Sequence, residues 1–217
     1  MLRILLLVGC LILTLPAVAG APLTILIVGD SLSAGYGLAQ DETWVARLRQ
    51  RLTANGADAT VINASISGDT TRGGRARLPA VLEEHEPDVV IIELGGNDGL
   101  RGLPLAETRR NLDAMVDAAQ TAGARVLLVG VRLPSNYGTA FVERFQQVFR
   151  DVASDRDIPL VPKFLAGVAE KPTLMQDDGI HPNAAAQPKL LANVWPKLES
   201  LLEEGKAVGN GQGAGNE

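Results

Sequence analysis

Ser31 and His181 are the residues of this 217-residue chain best suited to nucleophilic chemistry. Ser31 follows the apolar run 25–28 directly after Gly29 and Asp30, where a buried strand gives way to a turn. Open α/β sheets place their chemistry at the carboxyl ends of parallel strands. A serine attacks a carbonyl carbon only when a base removes its proton, and histidine is the usual base. The alternative is that the Asp-Ser pair only caps the following helix.

The chain has two histidines, and only His181 is placed to act as that base. His85 ends a predicted helix that leads into a strand, which puts it at the opposite edge of the sheet. Asp178 precedes His181 by three residues across a glycine turn, so its carboxylate can accept a hydrogen bond from the imidazole and support the imidazolium. We therefore predict a triad of Ser31, His181 and Asp178. The alternative is that Asp178 and His181 only cap the last helix.

Acyl transfer also needs hydrogen-bond donors aimed at the oxygen on which negative charge develops. The backbone N–H of Ser31, the backbone N–H of Gly68 and the side-chain amide of Asn97 suit this role. Gly68 lets the backbone approach a ligand closely, and Asn97 follows two glycines. Gly68 and Asn97 can each also be ordinary turn residues. Their coincidence with Ser31 and His181 predicts an oxyanion hole.

Apolar segments alternate with helical patterns along the chain, and this alternation predicts the fold. The predicted strands are 25–28, 59–63, 88–94, 125–131 and 158–161. The predicted helices are 41–55, 75–85, 106–122, 139–154 and 183–202. Connections of this length fit crossover helices and therefore a parallel sheet. We predict an α/β fold, a three-layer α/β/α sandwich around a five-stranded parallel sheet. The loops after its first three strands gather at one edge, where ligands bind.

Composition limits the function classes. The chain is 46% apolar and 21% charged, which suits one α/β domain. Its formal net charge of −5 argues against sequence-independent binding of nucleic acid. A two-metal phosphoesterase would draw on several histidines, so we expect no metal and no cofactor. The Gly-x-Ser-x-Gly elbow of α/β-hydrolases, the P-loop and the dinucleotide fingerprint are absent from the sequence.

The first nineteen residues have the pattern of a secretory signal peptide. Arg3 gives a positive start, 4–15 is almost wholly apolar, and Ala17-Val18-Ala19 fits cleavage after Ala19. The alternative is an uncleaved anchor, and no later segment is a candidate membrane span. We expect a periplasmic or secreted protein with its domain at 20–204. The Gly-rich tail 205–217 is expected to be disordered.

Four segments resemble, in order, the four sequence blocks of the SGNH (GDSL-type) hydrolases: 29–33, 67–69, 95–98 and 178–181. The stretches 63–70, 93–102 and 133–138 resemble the bacterial periplasmic subgroup of multifunctional acyl-CoA thioesterases, proteases and lysophospholipases, or arylesterases. The resemblance covers roughly 23–202. It implies a flavodoxin-like sandwich that hydrolyses acyl esters and thioesters through an acyl-enzyme. It also implies Ser31 as nucleophile, His181 as base with Asp178 as its partner, and Ser31, Gly68 and Asn97 as oxyanion donors.

Substrate choice rests on the loops that should flank the serine. We expect Leu100, Leu103, Leu133 and Tyr137 to form the apolar walls of a shallow groove for an acyl chain. These side chains can instead anchor their loops to the core. The expected partner is a small-molecule acyl ester or a lysophospholipid. An O-acetylesterase acting on carbohydrate or peptidoglycan is the alternative enzyme. A catalytically silent lipid-binding module is the alternative without activity, and the intact triad argues against it.

Overall fold

A computed structural model describes residues 22–211, with side chains to residue 205. Its five strands are β1 (Leu23–Gly29), β2 (Ala59–Asn63), β3 (Val89–Glu93), β4 (Arg125–Val129) and β5 (Leu160–Val161). They form one sheet in the order β2-β1-β3-β4-β5, and every pairing is parallel. This is the flavodoxin-like strand order. The predicted α/β fold with a five-stranded parallel sheet is confirmed.

Seven α-helices connect and cover the strands. They are α1 (Ser31–Ala34), α2 (Trp44–Ala54), α3 (Thr71–His85), α4 (Gly96–Leu100), α5 (Leu105–Thr121), α6 (Thr139–Asp155) and α7 (Gln187–Gly211). Short 3₁₀ turns lie at Gln40–Glu42, Ser135–Tyr137, Pro172–Leu174 and Ala184–Ala186. No helix within 22–211 is both long and apolar enough to span a bilayer.

Two apolar cores lie on the two faces of the sheet. Successive residues of a strand point to opposite faces, and Ile25 and Ile27 of β1 pack with α2 and α7. Leu26 and Val28 pack on the other side with α3, α5 and α6. Trp44 is fully buried in the first core, with its ring edge-on to Phe164 at 5.6 Å between centroids. The result is three layers with the sheet in the middle.

The register aligns the carboxyl ends of β1, β2 and β3. Ile27 pairs with Asn63 of β2 and with Ile91 of β3, and Gly29 pairs with Glu93. The loops that follow these three strands therefore start from one edge of the sheet.

Helix α3 begins at Thr71, earlier than the predicted start at residue 75. Two glycines in its first turn argue against helix in the sequence. The structure shows why they are tolerated. The Thr70 side chain accepts a hydrogen bond from the Gly73 N–H and caps the helix. A Cβ at Gly74 would lie 2.2 Å from a methyl group of Leu94, so this helix start packs closely against the end of β3.

The end of the chain also differs from prediction. Helix α7 continues through Pro188 and Pro196 to Gly211, past the predicted end at 202 and into the predicted tail 205–217. The predicted signal peptide at 1–19 lies outside the described residues, as do residues 212–217.

Candidate active site

Ser31, His181 and Asp178 form a continuous hydrogen-bonded line. Ser31 is the first residue of α1, directly after β1 and its connecting Asp30. Its Oγ lies 2.9 Å from Nε2 of His181. Nδ1 of the same ring lies 2.6 Å from Oδ2 of Asp178. One ring nitrogen therefore faces a hydroxyl and the other faces a carboxylate, which is the arrangement that lets an imidazole accept the serine proton.

The turn 175–182 holds the acid and the imidazole in this geometry. Oδ1 of Asp178 accepts hydrogen bonds from the N–H groups of Ile180 and His181, both at 2.9 Å. These backbone N–H groups, together with the His181 ring, lower the pKa of Asp178 to about 2. The carboxylate is therefore negatively charged at any pH at which the enzyme would work. The base and its partner act as one local unit.

The His181 ring also packs against an aromatic side chain, that of Tyr36. The Tyr36 ring lies 4.5 Å from it between centroids, tilted by 36°. The Tyr36 carbonyl accepts a hydrogen bond from Nε2 of Gln176, at 2.8 Å. The loop after α1 is thereby tied to the turn that carries the imidazole.

The structure places Gly68 and Asn97 in the other two loops of the same edge. Gly68 has φ +80°, a conformation that favours glycine, and its carbonyl accepts from Nη2 of Arg101 at 2.8 Å. Asn97 lies in α4, and its Nδ2 donates to Oδ2 of Asp30 at 3.1 Å. Within 22–211, the N–H groups of Ser31 and Gly68 donate to no other backbone carbonyl. Both remain available to a ligand.

A buried carboxylate joins these two loops. Asp98, which follows Asn97, is 2% exposed. Its Oδ2 accepts the N–H of Thr71 at 2.9 Å, and its Oδ1 accepts the Thr71 hydroxyl. Helix α4 is thus fixed to the start of α3, directly after the Gly68 loop. No role for Asp98 was predicted from the sequence, in which an acid at the start of a helix is an ordinary first-turn residue.

A groove of about 620 Å³ opens beside Ser31 and His181. Of the predicted apolar wall residues, Leu100 and Leu133 line it, while Leu103 and Tyr137 do not. Tyr137 instead donates its hydroxyl to the Leu100 carbonyl at 3.0 Å and so ties two loops together. Further apolar lining residues lie between β5 and His181 and were not predicted as groove walls: Leu165, Ala166, Met175 and Ile180. The apolar residues before the candidate base were the available signal.

No three His, Cys, Asp or Glu side chains within the described range converge as metal ligands do. The side chains and backbone groups described above supply chemistry of their own at this edge. They can remove a proton from a hydroxyl, stabilise negative charge on an oxygen and hold an apolar chain nearby.

Comparison with known proteins identifies the family of this chain. The profile of the GDSL-like Lipase/Acylhydrolase family matches residues 27–187. Esterase TesA of Pseudomonas aeruginosa is 53% identical over 93% of this chain and 100% of its own length. Thioesterase 1/protease 1/lysophospholipase L1 of Escherichia coli K12 is 46% identical over 85% of this chain and 87% of its own. A crystal structure of TesA superposes with a TM-score of 0.81 at 54% identity, over 82% of this chain and 99% of that one. The chain therefore belongs to the GDSL-like lipase/acylhydrolase family.

Proposed function

We propose that this protein is a serine hydrolase that cleaves carboxylic esters and thioesters through an acyl-enzyme on Ser31. The observation that carries the proposal is the line from Ser31 Oγ through the His181 ring to the Asp178 carboxylate, at 2.9 Å and 2.6 Å. Nothing in an α/β fold requires a serine that follows a buried strand, an imidazole and a carboxylate to meet in this way. Acyl transfer does require it.

The reaction follows from this arrangement. Ser31 Oγ forms a bond to the substrate carbonyl carbon while its proton passes to Nε2 of His181. The carbonyl oxygen becomes negatively charged. When the tetrahedral intermediate collapses, the bond to the leaving oxygen or sulfur breaks, and the leaving group takes the proton from His181. A water molecule then attacks the acyl-enzyme with the same base, which releases the acid and restores Ser31. Asp178 stays ionised throughout and stabilises the imidazolium.

The developing oxyanion is assigned to three donors: the N–H of Ser31, the N–H of Gly68 and Nδ2 of Asn97. The two backbone N–H groups are free of backbone acceptors within the described residues. Asn97 lines the groove beside Ser31. Fixed donors of this kind, aimed at the oxyanion, supply much of the rate enhancement in acyl transfer.

The proposed substrates are small acyl esters and lysophospholipids, with thioesters as a second leaving-group class. Leu100, Leu133, Leu165 and Ile180 give the groove apolar walls for an acyl chain. The names of the relatives, an esterase and a thioesterase/lysophospholipase, support the same class. Leu103 and Tyr137 were also predicted from the sequence to contact the acyl chain. They are instead proposed to hold the loops that carry the groove walls.

We further propose that the enzyme acts in the periplasm or outside the cell, after cleavage behind Ala19. The support is the positive start, apolar run and small-residue site of the first nineteen residues. Mass spectrometry of protein recovered from the periplasm should find a chain that begins at Gly20. A chain that retains Met1 would support the anchor instead.

Ser31→Ala tests the assignment of the nucleophile. Hydrolysis of a p-nitrophenyl acyl ester and labelling by a fluorophosphonate probe should both be lost. Ser154→Ala, an exposed serine in α6, should keep both and serves as the matched control. Unchanged turnover or unchanged labelling in Ser31→Ala would remove the proposed function.

A further inference from the structure

Asp30 is a buried acid that the mechanism so far leaves unused. It links β1 to Ser31, and only 3% of it is exposed. Its Oδ1 accepts the N–H of Leu32 at 3.0 Å and so caps α1. Its Oδ2 accepts a hydrogen bond from Nδ2 of Asn97 at 3.1 Å, across 67 positions of sequence. One carboxylate therefore contacts both the turn that carries the nucleophile and the side chain assigned to the oxyanion.

The Asn97 amide needs such a partner because either its NH₂ group or its carbonyl oxygen could face the oxyanion. One side of a primary amide donates hydrogen bonds and the other side accepts them. An amide turned the wrong way would present its oxygen to the oxyanion and repel it. A carboxylate can only accept, so it selects the orientation in which Nδ2 faces Asp30. One N–H of Nδ2 is then used by Asp30, and the second stays free for a ligand.

We propose that Asp30 is a positioning residue of the reaction, whose carboxylate orients the Asn97 amide so that its second N–H donates to the oxyanion. This inference rests on the proposed function, in which Asn97 is an oxyanion donor. It adds a residue that acts through Asn97 and not on the reacting atoms themselves. The proposal requires Asp30 to be ionised, although its site is almost closed to water.

A second buried acid lies beside it. Glu93 at the end of β3 is 0% exposed, and its Oε2 forms a 2.7 Å hydrogen bond with the Ser33 hydroxyl. Its Oε1 is buried without a hydrogen-bond partner in the described part of the chain. A Cβ at Gly29 would lie 2.8 Å from both Glu93 and Ser33, so the group is tightly packed under the nucleophile turn.

Two buried acids at close range do not both carry charge. Burial and the neighbouring Asp30 raise the pKa of Glu93 well above its usual range. Burial also raises the pKa of Asp30, to about 6, but the hydrogen bonds from Leu32 and Asn97 and the charge of His181 oppose the rise, while Asp69 adds to it. Hydrogen bonds from the Ser33 hydroxyl and the Asp30 N–H oppose the rise at Glu93 only in part, so Glu93, the more strongly shifted acid, keeps its proton and Asp30 carries the charge. Above about pH 6, Asp30 is therefore available as a carboxylate.

The test is a double-mutant cycle on the full chain. In Asp30→Asn, the new side chain has a single oxygen for the two donors that Asp30 binds, the Leu32 N–H and Nδ2 of Asn97. The variant therefore no longer selects the orientation of the Asn97 amide. We expect kcat on p-nitrophenyl butyrate to fall by about tenfold to a hundredfold, with KM changed by less than about twofold. Affinity for a trifluoromethyl ketone, which forms a tetrahedral adduct with an oxyanion, should fall by the same factor as kcat/KM. Asp88→Asn removes another backbone-binding carboxylate, at the opposite edge of the sheet, and should leave kcat unchanged.

The same substitution in an Asn97→Ala background separates positioning from capping. If Asp30 acts through Asn97, Asp30→Asn should cost less than about threefold in that background. An equal loss in both backgrounds would reduce Asp30 to a helix cap and overturn the inference.

A readout that needs no turnover keeps this test distinct from that of the esterase itself. The side-chain amide signals of Asn97 in ¹⁵N NMR, identified by their absence in Asn97→Ala, should shift in wild type as Asp30 titrates and should move in Asp30→Asn. Signals that neither titrate nor move would overturn the inference even if the enzyme hydrolyses esters. Shifting signals in a protein without esterase activity would overturn the proposed function and keep the Asp30–Asn97 coupling. The wild-type titration also covers the case in which Asp30→Asn does not fold.

Discussion

Nε2 of His181 lies 2.9 Å from Oγ of Ser31, although 150 positions of sequence separate the two residues. The nucleophile follows β1, an interior strand of the sheet, and the base comes after the edge strand β5. No local sequence preference can create this contact, since it depends on the whole sheet being assembled.

Asn97→Ala should lower kcat by about two to three orders of magnitude, because it removes one donor to the oxyanion. Circular dichroism and thermal unfolding should show a folded protein, since Asn97 is only half-buried. Asn55→Ala, at the exposed end of α2, is the matched control and should keep full turnover. A loss below tenfold in Asn97→Ala would take this side chain out of the oxyanion hole.

Gly68→Ala should damage activity more than stability. Gly68 has φ +80°, and an added Cβ would meet only Nη2 of Arg101, at 3.7 Å. The substitution therefore lowers the free energy of unfolding by about 1–2 kcal/mol, because alanine is strained at this positive φ. When the backbone relaxes to relieve the strain, the N–H of residue 68 turns away from the oxyanion. Gly56→Ala is the matched control, because Gly56 has φ +70° with open space around it and lies far from the site in the α2–β2 turn. Urea unfolding should show similar losses for both variants, and only Gly68→Ala should lose tenfold or more in kcat. Equal activity in the two would contradict the role of the Gly68 N–H.

Glu93→Gln should change how stability depends on pH. A buried acid with a raised pKa holds its proton in the folded protein at pH values where the unfolded chain has released it. The contribution of Glu93 to the free energy of unfolding therefore decreases as pH rises above about 4, until the pKa of Glu93 in the folded protein is passed. The neutral glutamine removes this loss, so the Tm of the variant minus that of wild type should become more positive from pH 4 to pH 8. Each kcal/mol recovered corresponds to about 2–4 °C for a domain of this size.

Glu83→Gln serves as the control for that series, because Glu83 is exposed on α3. Its Tm difference from wild type should stay constant with pH. If the Glu93→Gln difference were equally flat, Glu93 would titrate like an ordinary surface acid, and the neutral state argued for it would be wrong.

Acyl-chain length should decide the substrate class. On p-nitrophenyl esters from C2 to C16, kcat/KM should increase from C2 by up to about fourfold per added CH₂ until the groove is filled. The reason is the apolar wall formed by Leu100, Leu133 and Leu165. The same acyl groups on a thiol leaving group give the ester-to-thioester preference. A maximum at C2 would instead favour the O-acetylesterase.

Sequence alone predicted the elements whose patterns are local. The strand 59–63 agrees with β2 residue for residue, and the other strands are placed to within a few residues. Ser31 and His181 could be predicted because nucleophilic chemistry needs a serine after a buried strand and a histidine as base, and the chain has only two histidines. Gly68 and Asn97 were predicted as oxyanion donors from their coincidence with Ser31 and His181, and the family resemblance implies the same two residues.

The contacts between distant segments were not predictable in the same way. Asp30 reads as a helix cap in the sequence, and only the fold brings its second oxygen to Asn97. Leu103 and Leu133 look alike as loop leucines, yet only Leu133 reaches the groove. The early start of α3 was missed because glycines oppose helix locally, while their value lies in close packing against Leu94.

The arrangement of the triad along the chain bears on how activity appears during refolding. The Ser31 hydroxyl lies directly after β1, the first strand of the described chain. The His181 imidazole and the Asp178 carboxylate lie together in a single turn shortly before α7. A nascent or partly refolded chain with its first four strands in place would present the serine without any base. Hydrolysis can therefore begin only after the segment that carries Asp178 and His181 has docked beside Ser31, so the return of turnover after denaturation reports when that docking is complete.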